Sequence, residues 1–263
     1  MEEPGTVYFT GTAGAGKTSF VRAFAEWLKT AGYDSTVVNL DPGLEGTDFE
    51  PDVDIREWVR LADIQDEYGL GPNGAQVAAA DMIALKIFDV KQAVQELKTD
   101  YVLIDTPGQI ELFAFREASK AIVDALSGDR SAIAFLFDPA LARTPGGFVS
   151  LMMLCATVEF RFRLPMVNVL TKVDALTPEQ LARVTAWSDE PGALYEAVTA
   201  ETPTPDAQLS TELFRALESM GTLTGLLPTS AKEGTGLEAF YQGCQRVFGG
   251  GEDLEPSHAP SNE

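Results

Sequence analysis

The spacing of apolar residues divides the chain into short strands and longer helices. Apolar runs predict five buried strands and a weaker sixth, at Val7–Thr10, Ser35–Leu40, Tyr101–Asp105, Ala132–Asp138, Met166–Thr171 and Thr222–Thr229. Apolar residues three and four positions apart predict helices at Ser19–Lys29, Ala75–Lys98, Arg116–Ala125, Gly147–Phe162, Pro178–Trp187, Glu190–Ala200, Thr211–Ser219 and Leu237–Phe248. Strands that alternate with helices predict an α/β fold of three layers, with a mostly parallel sheet and right-handed crossovers.

Two connections are longer than a minimal α/β fold needs. They span residues 42–98 and 176–221, and both carry helical periodicity. We therefore predict helical insertions on one domain that covers residues 1–248. The remaining residues, 249–263, lack period and hydrophobicity, and we predict a disordered acidic tail.

Composition narrows the class of protein further. With 263 residues, 45% of them hydrophobic, the chain has enough apolar side chains for a large core. The sequence has neither a membrane-spanning apolar run nor a signal pattern, so we expect a cytoplasmic protein without membrane contact. Cys155 and Cys244 lie in apolar helical contexts and are expected to be buried, reduced thiols. The only histidine is His258, so chemistry based on imidazole is excluded.

The charge balance is strongly acidic. Forty Asp and Glu residues face nineteen Lys and Arg residues, for a net charge of −21. Such a surface repels polyanions, so we expect no direct nucleic-acid partner. An acidic surface with few lysines favours a halophilic source. In the molar salt of such a cell, repulsion between surface charges is screened beyond about 3 Å. A chain that is simply acidic is the alternative.

A glycine-rich loop follows the first predicted strand and opens the first helix. Its sequence, Gly-Thr-Ala-Gly-Ala-Gly-Lys-Thr, fits the P-loop pattern in the strand–loop–helix setting that the pattern requires. Backbone N–H groups and the helix N-terminus then form an anion cradle, Lys17 reaches the β- and γ-phosphates, and Thr18 binds Mg²⁺. The predicted phosphate-binding residues are Gly11, Ala13, Gly14, Ala15, Gly16, Lys17, Thr18 and Ser19.

Acidic and amide residues follow two further strands. Asp105 ends its strand and begins Asp-Thr-Pro-Gly-Gln-Ile-Glu, where a carboxylate is suited to organise Mg²⁺. Gly108 can bring its N–H close to a γ-phosphate, and Gln109 can orient water. Asp41 follows the second strand and is a candidate for holding Mg²⁺ or its water. The alternative for Asp41 is a turn-forming role before proline.

A possible base-recognition segment follows the fifth strand. Thr171-Lys172-Val173-Asp174 is a variant of N-K-x-D, in which the Asp174 carboxylate accepts from two guanine donors that adenine lacks. The alternative is that Asp174 caps a helix. Ser230 and Ala231 follow the sixth strand, where a backbone N–H can meet the guanine O6.

The segment Gly71-Pro72-Asn73-Gly74 is by itself predicted to be a turn. Together with the motifs above, in this order over roughly residues 5–248, it resembles the GPN-loop GTPases, archaeal members included. That family belongs to the SIMIBI class of P-loop GTPases, which includes the signal-recognition and MinD-type nucleotide switches.

The resemblance implies a homodimer that hydrolyses GTP with Mg²⁺ and releases GDP. In the family, the GPN loop reaches the partner's site, so Asn73 would act in trans, with Gly71 and Pro72 beside the nucleotide. Gln109 and Glu111 would position water together with Asp105, and Thr18, Asp41 and Asp105 would hold the metal. A protein client in the assembly of a larger complex is also implied.

Two other classes of function remain open at the level of sequence. One is a P-loop ATPase or small-molecule kinase, against which Asp174 argues. The other is a nucleotide-gated assembly scaffold in which hydrolysis is incidental, because a switch and a scaffold need the same pocket.

Overall fold

The protein is described here from a computed structural model, over residues 3–44, 50–200, 205–220 and 225–249. The strands are β1 Gly5–Gly11, β2 Ser35–Asn39, β3 Val53–Asp54, β4 Tyr101–Asp105, β5 Ser131–Phe137, β6 Met166–Leu170 and β7 Leu227–Pro228. The helices are α1 Lys17–Ala31, α2 Leu61–Tyr68, α3 Pro72–Glu96, α4 Ile110–Ala114, α5 Glu117–Leu126, α6 Pro139–Ala142, α7 Pro145–Phe162, α8 Pro178–Asp189, α9 Pro191–Ala200, α10 Pro205–Met220 and α11 Leu237–Gly249.

The sheet is parallel at every strand pairing, in the order β3-β2-β4-β1-β5-β6-β7. Strand β1 lies in the middle, with β4 on one side and β5 on the other. Strands β2, β3 and β4 lie on one side of β1, and the later strands β5, β6 and β7 lie on the other side. The strand order therefore reverses at β1. Ligands of open α/β sheets bind where the strand order reverses, at the carboxyl ends of the strands. The predicted fold class is confirmed.

Apolar side chains cover both faces of the sheet, which gives the predicted three layers. One face packs against α1 and α11, where Phe20 and Phe24 surround Phe240 with ring centroids 5.0 and 4.8 Å away. The other face packs mainly against α3, α5 and α7. Both cysteines are buried and free, as expected. None of the helices in the described part of the chain is long and apolar enough to cross a bilayer.

The structure corrects three details of the expected elements. The insertion after β2 contains the short strand β3 and helix α2, neither of which was predicted. Strand β3 has only two residues, too few for an alternating pattern. The predicted strand Thr222–Thr229 is limited to β7 within the described residues, and residues 221–224 lie outside them. Gly71–Gly74 is not an isolated turn, because Gly71 is the N-cap of α3 and Pro72 its first residue.

Other boundaries differ by a few residues. Helices α4 and α6 were not predicted because each is about one turn long. Helix α10 begins at Pro205, several residues before the predicted start. The predicted tail lies outside the described residues from 250 onward, while Gly249 ends α11.

Candidate nucleotide-binding site

The loop between β1 and α1 has the backbone of an anion cradle. Gly16 caps the helix with φ 89°, a left-handed conformation that favours glycine. At Gly11, with φ 155°, a Cβ atom would lie 2.6 Å from the carbonyl oxygen of Leu136, so only glycine fits without displacement. The first N–H groups of the 15-residue helix α1 open toward this loop.

The Lys17 ammonium joins the loop to the segment after β4. It donates to the carbonyl oxygens of Gly11, Thr12 and Gly108 at 3.1, 3.2 and 3.2 Å. Burial lowers the pKa of Lys17, an effect that the carboxylates of Asp105 and Asp41 oppose. The lysine therefore occupies the region where phosphate oxygens would compete with these carbonyls for its three donors.

Asp105 and Thr18 form the second part of the phosphate side. The Thr18 hydroxyl donates to Oδ2 of Asp105 at 2.6 Å. Oδ1 of Asp105 is buried and has no hydrogen-bond partner among the described residues. Burial raises the pKa of Asp105 to about 6, although the Thr18 hydroxyl and Lys17 act in the opposite direction.

These groups fit a magnesium ion. Mg²⁺ is typically held by one or two protein oxygens together with substrate phosphates and waters, and the unpartnered Oδ1 of Asp105 is such an oxygen. No cluster of three or more His, Cys, Asp or Glu side chains suited to a metal occurs within the described ranges. A metal here therefore needs the phosphates to complete its coordination.

Replacing Asp105 with Asn is expected to stabilise the nucleotide-free protein by about 3 kcal/mol at pH 7, since burial raises the pKa from 3.8 to about 6 and each pKa unit is about 1.4 kcal/mol. A carboxyl whose pKa is raised on folding stabilises the fold below pH 4, and that contribution is lost as pH rises through about 6. Urea unfolding of wild type and Asp105→Asn from pH 4 to 8 measures the difference. Asp66→Asn, on the exposed surface of α2, is the control and should change little. A stability difference that does not grow with pH would contradict this account.

Asp41 forms the turn that was considered for it, and its carboxylate also contacts the segment after β4. The Oδ1 atom of Asp41 accepts a hydrogen bond from the N–H of Gly43 at 2.9 Å, and this bond closes the turn around Pro42. Its Oδ2 accepts from the N–H of Gly108 at 3.0 Å. The N–H predicted to approach a γ-phosphate is therefore paired with Asp41 in this structure.

A polar network behind Asp41 was missed at the level of sequence. Asn39 donates to the carbonyl oxygen of Asp41 at 3.1 Å and to Oδ1 of Asp54 at 3.0 Å. Arg56 binds both carboxylate oxygens of Asp54 and donates to the carbonyl of Leu44 at 2.7 Å. The network ties the turn at Asp41 to β3, a strand too short to leave a periodic signal.

The residues of the T-K-x-D segment lie beside the phosphate loop. The buried Thr171 hydroxyl donates to the carbonyl oxygen of Ala15 at 2.8 Å. Lys172, with φ 51°, donates to the carbonyl of Gly14, and its Nζ lies 3.7 Å from Oδ2 of Asp138. Thr171 and Lys172 thus hold the loop from the side opposite Gly108.

Asp174 is exposed and oriented by a neighbouring loop. The Ser230 hydroxyl donates to its Oδ1 at 2.6 Å, and this hydrogen bond holds the pKa of Asp174 below its usual range. Asp174 is not the cap of α8, because Thr177 caps that helix with a capping box to Gln180. Ala231 begins the turn that follows Ser230.

Helix α3, from Gln76 onward, and the segment after β4 line one cavity. This cavity, of about 160 Å³, is lined by Ala13, Asp41, Pro42, Gly43, Gln76, Ala80, Ile83, Pro107, Gly108, Gln109 and Leu112. Gln109 is the N-cap of α4, and Glu111 lies exposed in the first turn. Asn73 is exposed in the first turn of α3, one turn before Gln76.

Gln76 was not among the predicted site residues, although the sequence contains a signal for it. It lies three, four and seven positions before Ala79, Ala80 and Ile83, which are buried on α3. A polar side chain on an otherwise apolar helical stripe needs a polar partner or a function.

The fold and the site together define a P-loop nucleotide-binding protein. A family model described as "conserved hypothetical ATP binding protein" matches residues 9–249. A GPN-loop GTPase of Pyrococcus abyssi is 34% identical over 67% of this chain and 71% of its own length. The solved apo structure of a Pyrococcus abyssi GTPase superposes with a TM-score of 0.82 at 28% identity, covering 92% of this chain and 97% of that one.

Eukaryotic relatives match over most of the chain. GPN-loop GTPase 3 of Dictyostelium discoideum is 29% identical over 95% of this chain and 89% of its own length. GPN-loop GTPase 1 of the same organism is 28% identical over 92% of this chain, which spans 61% of that protein. The chain belongs to the GPN-loop GTPase family, and its enzyme class is therefore GTPase.

Proposed function

We propose that this protein is a Mg²⁺-dependent, homodimeric GTPase in which the GPN segment of each subunit completes the site of its partner. One observation carries the proposal. The phosphate loop is held from both sides, by Lys17 bound to the carbonyl of Gly108 and by Thr171 bound to the carbonyl of Ala15. The loop therefore lies between the segment suited to a γ-phosphate and the segment suited to a base. We also treat residues 1–248 as one domain, because the described strands form a single sheet.

Hydrolysis in this site needs no covalent protein nucleophile. Lys17 exchanges carbonyl oxygens for phosphate oxygens, which are stronger acceptors because they are charged. Backbone N–H groups of the loop and of α1 stabilise the developing negative charge. Gln109 and Glu111 position the attacking water, and Asp41 borders the same space.

Thr18 and Asp105 are the residues that hold Mg²⁺, with Asp41 nearby. The ion supplies neutralisation of the negative charge on the β- and γ-phosphates. Asp105 contributes the carboxylate oxygen that has no protein partner within the described residues. Burial raises the pKa of Asp105. A bound cation would lower this pKa, because a nearby positive charge favours the ionised carboxylate.

Recognition of guanine rests on Asp174. Its carboxylate accepts from the N1–H and the 2-amino group, whereas adenine offers no matching pair of donors. Ser230 fixes the orientation of the carboxylate at 2.6 Å. Lys172 lies with its stem beside the loop at Gly16, in position to cover the base, and Ala231 follows Ser230.

An exposed apolar face on α3 supports the homodimer. Leu85 and Phe88 are 80% and 74% exposed, and Val77 lies on the same side of the helix. A second copy of the chain that covers this face as far as Val77 would also lie close to Asn73, because Val77 follows Asn73 by four positions, about one turn of α3. Isologous pairing of two α3 helices would bring each GPN segment to the partner subunit.

The cellular role that we propose is nucleotide-controlled assembly of a larger complex through a protein client. The net charge of −21 makes long nucleic acids unfavourable partners. We attribute this charge to adaptation to molar salt, in which self-repulsion is screened.

Calorimetric titration of the wild-type protein with GDP and ADP tests the guanine specificity. We expect GDP to bind at least about 100-fold more tightly, since an unpaired Asp174 penalises the wrong base. GTP turnover should require Mg²⁺ and stop when EDTA is added. Equal affinities for GDP and ADP would contradict the proposal.

A further inference from the structure

We propose that Gln76 holds the attacking water from within its own chain, as a second amide opposite Gln109. This inference rests on the proposed GTPase function and adds a residue to its site. Gln76 lies in the second turn of α3, and both glutamines line the cavity of about 160 Å³. The proposed trans-acting Asn73 and the cis-acting Gln76 would then share one helix and serve different subunits.

The amide oxygen of Gln76 has no hydrogen-bond partner in the part of the chain that the structure describes. This oxygen, Oε1, is buried. Leaving a buried carbonyl oxygen unpaired costs about 1–3 kcal/mol, and a structural glutamine would be expected to avoid that cost. The terminal torsion of glutamine is broad, so a modest rotation presents the amide oxygen to a donor in the cavity.

The cavity has the size and the polar groups that a bound water requires. Its volume exceeds the roughly 15 Å³ needed for one water, and the site needs two to four polar partners. Asp41, Gln109 and the backbone of Gly108 supply polar groups on one side, and Gln76 supplies another. The remaining lining, which includes Ile83 and Leu112, is apolar and restricts where the water can bind.

The cavity lies between the two segments that a γ-phosphate is expected to contact. It reaches the phosphate loop at Ala13 and the segment after β4 at Gly108. The Lys17 ammonium, which serves the terminal phosphates, lies 3.2 Å from the carbonyl oxygen of Gly108. In-line attack requires water on the far side of the γ-phosphate from its leaving group. A cavity that borders both the phosphate loop and the segment after β4 is suited to hold that water.

In the reaction, the water oxygen forms a bond to the γ-phosphorus while the bond from that phosphorus to the β–γ bridging oxygen breaks. One water proton passes to the released phosphate, and GDP leaves with the bridging oxygen. Gln76 accepts a hydrogen bond from the water and takes no proton. A neutral amide suits this place, because a second carboxylate would be repelled by Asp41 and by the phosphate.

Gln76→Leu tests the proposal, because leucine has a similar size and continues the apolar stripe of α3. We expect its kcat for GTP to fall about 100-fold, as for loss of one preorganised hydrogen-bonding group. The KM for GTP, the affinity for GDP and the Tm should stay near wild type. The control is Gln242→Leu, which replaces an exposed glutamine on α11 and should leave kcat unchanged.

Gln76→Glu separates a water-positioning role from a structural one. A protonated glutamic acid is neutral and nearly isosteric with glutamine, so the ratio of its kcat to that of wild type should rise as the pH falls from 8 to 5.5. Asp41 is the charged side chain among the residues that line the cavity, and both proteins contain it, so the ratio isolates position 76.

Three results would overturn the inference. They are a Gln76→Leu variant with wild-type kcat, a variant whose GDP affinity and Tm fall together with kcat, and a Gln76→Glu ratio that does not change with pH. If the wild-type protein itself fails to hydrolyse GTP, the proposed function fails and this inference with it. An active wild type with an unaffected Gln76→Leu variant removes the inference alone.

Discussion

Asn73→Ala is expected to reduce GTP hydrolysis by about 100-fold or more, the usual effect of removing one group that stabilises the transition state. Asn73 is exposed at the start of α3, so its loss should leave the Tm and the affinity for GDP near wild type. Phosphate release under saturating GTP, with a melting curve for each protein, measures both expectations.

Mixed dimers show whether Asn73 acts in trans. Asn73→Ala and Lys17→Ala homodimers should each be inactive. In a heterodimer of the two, the site with an intact Lys17 receives the intact Asn73 of the other chain and should regain activity. In an equimolar mixture with free exchange, about a quarter of all sites would recover, because half of the dimers are mixed and each has one complete site.

The structure makes a cis role for Asn73 the direct alternative. Gln76, one turn further along α3, already lines the cavity of its own chain. If exchange of subunits is verified and the mixture stays inactive, Asn73 acts within its own chain or serves only to begin α3. Recovery of activity would instead require that the two chains share each site.

Asp174→Asn is expected to lower the affinity for GDP by about 100-fold or more, because the amide presents a donor to the guanine donors. The same change should favour xanthosine diphosphate, whose base carries an acceptor where guanine carries the amino group. Competition between the two diphosphates, titrated into wild type and variant, measures the reversal.

Ser230→Ala is the matched control for Asp174. It removes the hydroxyl that donates to the carboxylate at 2.6 Å and keeps the carboxylate itself. We therefore expect a smaller loss of GDP affinity, of about tenfold or less, and no change in base preference. A preference for GDP that survives Asp174→Asn would place base recognition elsewhere in the protein.

Much of the fold could be predicted because its signals are local. The strands β1, β2, β4, β5 and β6 are short apolar runs, and each is buried on both faces of the sheet. The two-residue strand β3 and the five-residue helix α4 were missed because neither is long enough to repeat its hydrophobic period. The GPN segment was expected to be a turn, but proline is also favoured at the first position of a helix. In the structure, Pro72 is the first residue of α3.

The sequence by itself determined the class of fold, the phosphate loop and the order of the motifs, since each depends on neighbours within about twenty residues. Only the tertiary structure decided which of these groups touch. Lys17 reaches the carbonyl of Gly108 across 91 positions, and Thr171 reaches that of Ala15 across 156. Such contacts follow from the strand order β2-β4-β1-β5-β6, which the local pattern leaves open. The strand order also brings Asp41 to Gly108 and places Gln76 at the cavity that they line. These contacts could not be predicted from the sequence, because they join residues that are distant along the chain.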